Sequence, residues 1–230
     1  MSSDELDEKI DILYQESVYT AIENILIEIK KIISKMKEIA ANIKKSIIIQ
    51  ARRAELPFKL KKMKKNLELQ KGKVVTVDMI DYNKFITYYN KNSTTILKKL
   101  NKLSDYRRFK NADAFLDKVH DIDSDIDEFE NELSRIEKNL IKVNLSDAIQ
   151  FIENEITGDG KVMKTYLSVC DQLMEFINKL ERYKRDARAM TNFYLEDKHM
   201  NAVKRVTDKY SKKMSKHITR FVTLTVFKYS

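Results

Sequence analysis

Asp121, Asp123, Asp125 and Asp127 occupy every second position, with Glu132 following. A helix–loop–helix calcium site takes oxygen ligands at loop positions 1, 3, 5, 7 and 12 and a glycine at 6. Counting from Asp121, acids fall on all five ligand positions. Position 6, however, is Ile126, which does not make the sharp turn. Ile122, Ile126 and Phe129 also keep a 3-4 apolar spacing across the run. The carboxylates are therefore expected to form the solvated acidic face of a helix, with no metal bound.

The remaining candidates for chemistry are weaker. Gly158-Asp159-Gly160-Lys161 has the flavour of a phosphate cradle. A P-loop needs a glycine separated from Gly-Lys by four residues and then Ser or Thr, where this chain has Glu155 and Val162. The stretch is expected to be a helix stop and restart. His120, His199 and His217 are scattered, and no Ser or Cys elbow accompanies them. Cys170 sits beside the apolar positions Val169 and Leu173 and reads as a small core residue. No catalytic residue, cofactor, metal or small-molecule substrate is expected, so the chain is read as non-enzymatic.

Basic residues offer a different chemistry. Lys59, Lys61, Lys62, Lys64 and Lys65, and further on Arg107, Arg108 and Lys110, are candidate contacts for phosphates or other anions. Tyr82, Phe85, Tyr88, Tyr89, Tyr106 and Phe109 are interleaved with them and are of the type that stacks on unpaired bases. The competing reading places the lysines on solvated helix faces and the aromatics in the core. The amphipathic stretch from Phe58 to Leu69 also suits a membrane interface.

The elements that position these groups read as long helices. Residues 4–54 contain neither Gly nor Pro, and Ile22, Ile25, Ile29, Ile32, Met36, Ile39 and Ile43 repeat at 3-4 spacing. Leu26, Ile33, Ala40 and Ile47 widen that stripe to the breadth a bundle helix buries. Leu56-Pro57 interrupts it. Val74, Val75 and Val77 predict a brief extended piece, after which Thr76 or Asp78 would cap a helix to about Ser104, weakened near Asn90 to Thr95. From Phe115 the stripe Val119, Ile122, Ile126, Phe129, Leu133, Ile136, Leu140 and Val143 predicts one helix through Val143. Ser146 would cap a shorter one. A last long element starts at Lys161, carries Val169, Leu173, Phe176, Leu180 and Tyr183 through Tyr194, and kinks near Asp197. Val222, Leu224 and Val226 alternate with threonines, a strand-like period that predicts a β arm over residues 219–230, pairing with the Val74 segment or adding to a sheet edge on a partner.

The fold class that follows is all-α. An elongated antiparallel bundle of three to four long, heptad-patterned helices is expected, with at most a short β segment around Val74–Val77 and Val222–Val226. Residues 1–230 are read as a single elongated domain. Three glycines and one proline in 230 residues leave little material for turns. Ile126, Phe129, Leu133, Leu173, Phe176 and Leu180 are the expected packing seam.

Charge is laid out in blocks. Residues 1–29 hold one base and eight acids (net −7), residues 30–110 net +17, residues 111–160 net −10 and residues 161–230 net +9, which together give the overall +9. Alternating blocks neutralise one another in side-by-side packing or steer head-to-tail assembly. The acidic start, Met1 to Glu8, lacks the pattern of a secretory signal, and no charge-free apolar run is long enough to span a bilayer. A cytoplasmic setting, or a particle assembled there such as a virion, is expected. The expected role is a scaffold or interaction protein whose partners are other protein chains, itself or different ones. Nucleic-acid binding without sequence preference stands second, and a membrane-surface module third.

Overall fold

The computed structural model describes residues 3–52, 61–65, 68–69, 75–105, 108–156, 160–186 and 196–226. Within these, side chains are described over 20–46, 61–65, 68–69, 75–105, 108–155, 160–182, 196 and 198–224. The chain is mostly helical with one small two-stranded sheet. Helix α1 spans Ser3–Arg52, α2 Tyr82–Leu103 and α3 Ala112–Lys138. A short α4, Leu145–Phe151, runs into a π turn, Ile152–Ile156, and is followed by α5, Lys161–Asp186, and α6, Asp197–Val226. Strands β1, Thr76–Ile80, and β2, Leu140–Asn144, pair antiparallel. Among the described residues, no helix is long and apolar enough to cross a membrane.

Five long helices close a ring. α1 packs on α6, α6 on α3, α3 on α2, α2 on α5, and α5 back on α1. Their directions follow from cross-helix contacts. Glu28 meets Lys204 and Met36 lies near Ser215, while Lys30 meets Glu181 and Lys37 meets Asp171, so α1 runs parallel to α6 and antiparallel to α5. Lys209 meets Asp123 while Arg220 meets Glu137, so α3 is also parallel to α6. Lys84 meets Glu132 and Lys99 meets Asp125, so α2 opposes α3. Successive long helices thus alternate direction along the chain. In space, however, α6 sits between two helices that run its own way. This differs from a simple antiparallel packing of three or four helices, because the last predicted element is two helices folded back on each other.

The buried positions explain why these segments are helices. Ile22, Ile25, Leu26, Ile29, Ile33, Met36, Ala40 and Ile43 of α1 are buried, as are Phe115, Val119, Ile122, Ile126, Phe129, Leu133 and Ile136 of α3. At 3.6 residues per turn such positions share one face, and burying that face supplies most of a helix's stability. Asn111 caps α3 by accepting from the Ala114 N–H at 2.9 Å.

Four sequence expectations need correction. α3 stops at Lys138, not Val143, and Leu140–Asn144 is a strand. Asn139 already has extended dihedrals, and Leu140 is 39% exposed, so the helical stripe has nothing left to bury there. Ile141 and Val143 instead face Met79 and Val77 across the ladder. The C-terminal β arm is also overturned over its described part, residues 219–226: α6 is helical through Val226, taking in Val222 and Leu224, and residues 227–230 lie outside the described residues. Phe221 stacks on Phe85 at 4.5 Å, and tertiary packing of this kind overrides a local β preference. α2 is capped by Asp81, whose carboxylate accepts from the Lys84 N–H at 3.0 Å, rather than by Thr76 or Asp78. Finally, Asn90 to Thr95 is unbroken helix, where Asn92, Ser93, Thr94 and Thr95 each donate to the carbonyl four residues back. Leu56-Pro57, Val74, the 157–159 turn, Tyr183 and Tyr194 lie outside the residues or side chains described.

Candidate functional site

The acidic run of α3 is taken up by the chain's own lysines. Lys209 of α6 reaches Asp123 at 3.0 Å and Asp127 at 2.8 Å. Asp125 takes Lys99 of α2 at 2.5 Å, and Asp121 takes Lys118 at 2.7 Å. Glu132 pairs with Arg135 at 2.7 Å. Helix geometry is continuous through Asp121–Glu132, and Ile126 is buried, so the five acids do not converge on a loop centre. Among the described residues no group of three or more His, Cys, Asp or Glu side chains could hold a metal ion.

Farther along the same seam, Glu130 takes both Lys213 and Lys216, the latter at 2.5 Å. Burial pushes its carboxyl up, but the two ammonium hydrogen bonds outweigh this and hold it down at about 2. Next comes Glu137, which is buried. Its Oε1 lies 2.6 Å from Nδ1 of the buried His217, and its Oε2 accepts from Arg220 Nη1 at 3.1 Å. His217 also stands edge-on to Phe129, with ring centroids 6.2 Å apart. This buried acid–imidazole pair, with the exposed Arg220 at its edge, was not foreseen. Its members lie some eighty positions apart, and only the packing of α3 on α6 unites them.

The other histidines do separate work. His120 is exposed. His199 Nδ1 accepts from the Glu196 N–H at 3.0 Å, closing the first turn of α6, and burial lowers the imidazole's affinity for a proton. Cys170 is buried, and burial pushes its thiol up to about 11, away from thiolate chemistry at neutral pH. At the Gly158–Lys161 stretch, the Lys161 N–H donates to the Glu155 carboxylate at 2.8 Å, so the chain supplies its own anion there. A Cβ on Gly160 would stand 2.0 Å from the Glu155 carbonyl oxygen, which requires glycine at that position.

Across the middle of the ring run three buried tyrosines. Tyr89 of α2 donates to the Met214 carbonyl of α6 at 3.4 Å, while Tyr210 of α6 donates to the Ser93 carbonyl of α2 at 2.8 Å. The Tyr166 hydroxyl of α5 donates to the Met36 carbonyl of α1 at 3.2 Å and lies 2.6 Å from Ser215 Oγ. Burial pushes all three phenols upward, so they remain neutral donors.

These contacts also assign the interleaved aromatics. Tyr89 and Phe85 are buried; Tyr82 stacks on Phe151 at 3.9 Å, and Tyr88 lies parallel to Phe129 at 6.3 Å. Phe109 packs edge-on to Phe115. All five pack on the chain's own core, with Tyr82, Tyr88 and Phe109 half-buried, while Tyr106 lies outside the described residues. The seam residues Ile126, Phe129, Leu133, Leu173, Phe176 and Leu180 are all buried within the one chain.

Of the candidate anion contacts, Lys61, Lys62, Lys64 and Lys65 are exposed on one helical stretch. Lys64 anchors it to Glu153 of the π turn at 2.7 Å. Arg108 pairs with Asp105 at 2.5 Å, and Lys110 is exposed. Lys59 and Arg107 lie outside the described residues. Comparisons of the chain with protein-family models, curated proteins and solved structures find no match.

Proposed function

We propose that this chain is a non-enzymatic structural or interaction protein, a helical bundle acting as a spacer or scaffold within a larger assembly such as a virion or other particle. The observation that carries this reading is the length of α1. It has 50 residues, against 22 to 30 for the four helices it rings with. At 1.5 Å per residue that is about 75 Å of helix against about 45 Å for the longest of the others. Because Glu28 is level with Lys204 in the early turns of α6, residues 3–20 of α1 lie beyond the level at which α6 begins. A core closed among the described residues of one chain, with one helix outrunning it, suits a part that holds other parts at a distance.

Size-exclusion chromatography with light scattering and small-angle X-ray scattering tests this. The expected result is a particle far longer than a sphere of its mass, with a protein-like ratio of 260 to 280 nm absorbance. A near-spherical scattering profile would overturn the spacer reading.

A second reading, nucleic-acid binding through the phosphate backbone, is favoured by Lys61, Lys62 and Lys65. They are exposed and make no ion pair among the described residues. With Phe85 and Tyr89 buried in the core, the reading rests on electrostatic contact. It predicts binding that weakens steeply with salt, because phosphate contacts release counterions. Reversing charge at Lys61, Lys62, Lys64 and Lys65 should abolish such binding.

A further inference from the structure

The small sheet has one sheltered strand and one open one. β1 touches α3, α4 and α6, whereas β2 is covered by β1 and α4. Four of the five β2 residues are exposed. Among the described residues four large hydrophobic side chains are exposed, and two of them, Leu140 at 39% and Ile141 at 41%, stand side by side on this strand.

The backbone register shows which groups are free. The Leu145 N–H donates to the Val75 carbonyl at 2.9 Å, so that pair exchanges ladder hydrogen bonds. In an antiparallel ladder bonded and non-bonded pairs alternate. Val77·Val143 and Met79·Ile141 are therefore the bonded pairs, and Ile80·Leu140, Asp78·Lys142 and Thr76·Asn144 the non-bonded ones. The amides of Leu140, Lys142 and Asn144 consequently point away from β1. Among the described residues Leu140 and Lys142 make no backbone hydrogen bond outside the ladder. An unpaired edge of this kind is a template for another strand.

Charge selects the occupant. Lys138 and Lys142 flank the exposed pair, are themselves exposed, and make no ion pair among the described residues. The exposed Lys61, Lys62 and Lys65 ride on the turn that Lys64 ties to Glu153, in the π turn that continues α4. A second copy of the chain would bring a second set of lysines to the same place. An acidic segment would neutralise the first.

We propose that the outer edge of β2 docks an extended, acidic segment of a partner protein, which adds a third strand to the sheet through Leu140, Lys142 and Asn144. Main-chain hydrogen bonds would supply affinity. Apolar side chains beside Ile141 on one face, and carboxylates beside Lys142 on the other and near Lys138, would supply selectivity. This rests on the chain being an interaction protein, but the test is separable, since scattering can show a compact particle while the edge still binds, and the reverse.

The probe is a synthetic peptide of alternating Glu and Val, labelled for fluorescence anisotropy and titrated against the full-length chain. Alternating Lys and Val, and the acidic peptide N-methylated at alternate residues, serve as controls. The acidic peptide should bind, and the amides of Leu140, Lys142 and Asn144 should move most in nitrogen–proton correlation spectra. Lys142→Pro removes an outward amide without touching the β1 ladder, a tolerated place for proline. It should weaken binding by about tenfold or more, about 1.4 kcal/mol, while leaving the melting temperature unchanged. A second variant, Lys138→Glu with Lys142→Glu, should reverse the preference between the acidic and basic peptides. Equal affinity for wild type and Lys142→Pro, shifts located elsewhere, or no binding of the acidic peptide would overturn the proposal. So would a dimer that Lys142→Pro dissociates, which would assign the edge to a second copy.

Discussion

The α3–α6 seam and the β1–β2 ribbon each combine apolar residues with lysines, and they use them in opposite ways. In the seam, Phe129 and Leu133 are buried, and the lysines above them, Lys209, Lys213 and Lys216, are paired with Asp123, Asp127 and Glu130. In the ribbon, Leu140 and Ile141 face solvent, and Lys142, opposite Asp78 in the ladder, makes no ion pair among the described residues. A helix satisfies its own backbone, so packing can complete it. A strand satisfies only half, and among the described residues β2 has a strand neighbour on one side alone. The same residue types thus give a closed surface in one place and an open one in the other.

Substitutions should separate the two regions by the size of their effect on stability. Phe129→Ala should cost the most, about 3 to 5 kcal/mol in urea unfolding, as truncation of a fully buried aromatic does. Glu137→Ala strips the buried His217 of its partner and should cost about 3 kcal/mol. A double-mutant cycle with His217→Ala should return a coupling of at least about 1 kcal/mol between the two. Glu130 gives a pH signature. Its folded-state carboxyl, at about 2, lies below the ordinary 4.5, so its contribution is complete above 4.5 and is lost as pH falls from there towards about 2. Glu130→Gln should therefore destabilise at pH 7, and the gap from wild type should shrink in denaturation curves taken below pH 3. Tyr210→Phe removes one buried hydrogen bond and should cost about 1 kcal/mol. Ile141→Ser in the ribbon should change stability by less than about 0.5 kcal/mol, as exposed positions do. A loss as large as that of Phe129→Ala would mean the strand is closed after all.

The helices were legible where burial is periodic. Ile126, Phe129 and Leu133 are buried at the spacing the sequence shows, and the acidic and basic blocks of residues 111–160 and 161–230 do neutralise one another across α3 and α6. Period failed where it is ambiguous. Leu140-Ile141-Lys142-Val143 satisfies both a helical stripe continued from Ile136 and a strand alternation, and the choice fell to Asn139 and to a pairing strand some sixty residues earlier. Val222, Leu224 and Val226 alternate as a strand would, yet Phe221 found Phe85, and the helix continued. The Glu137, His217 and Arg220 group carries no local signal, because its residues acquire meaning only when two helices are set side by side.

The paired tyrosines between α2 and α6 have a mechanical consequence. Tyr89 reaches forward to Met214 while Tyr210 reaches back to Ser93, on helices that run in opposite senses. Sliding either helix by one residue, about 1.5 Å, would part both bonds together. The two phenols work like a pair of keys cut for a single notch, fixing axial position to a fraction of a helical turn. Under a pull along its length such a bundle should hold its dimension and then yield abruptly, rather than creep.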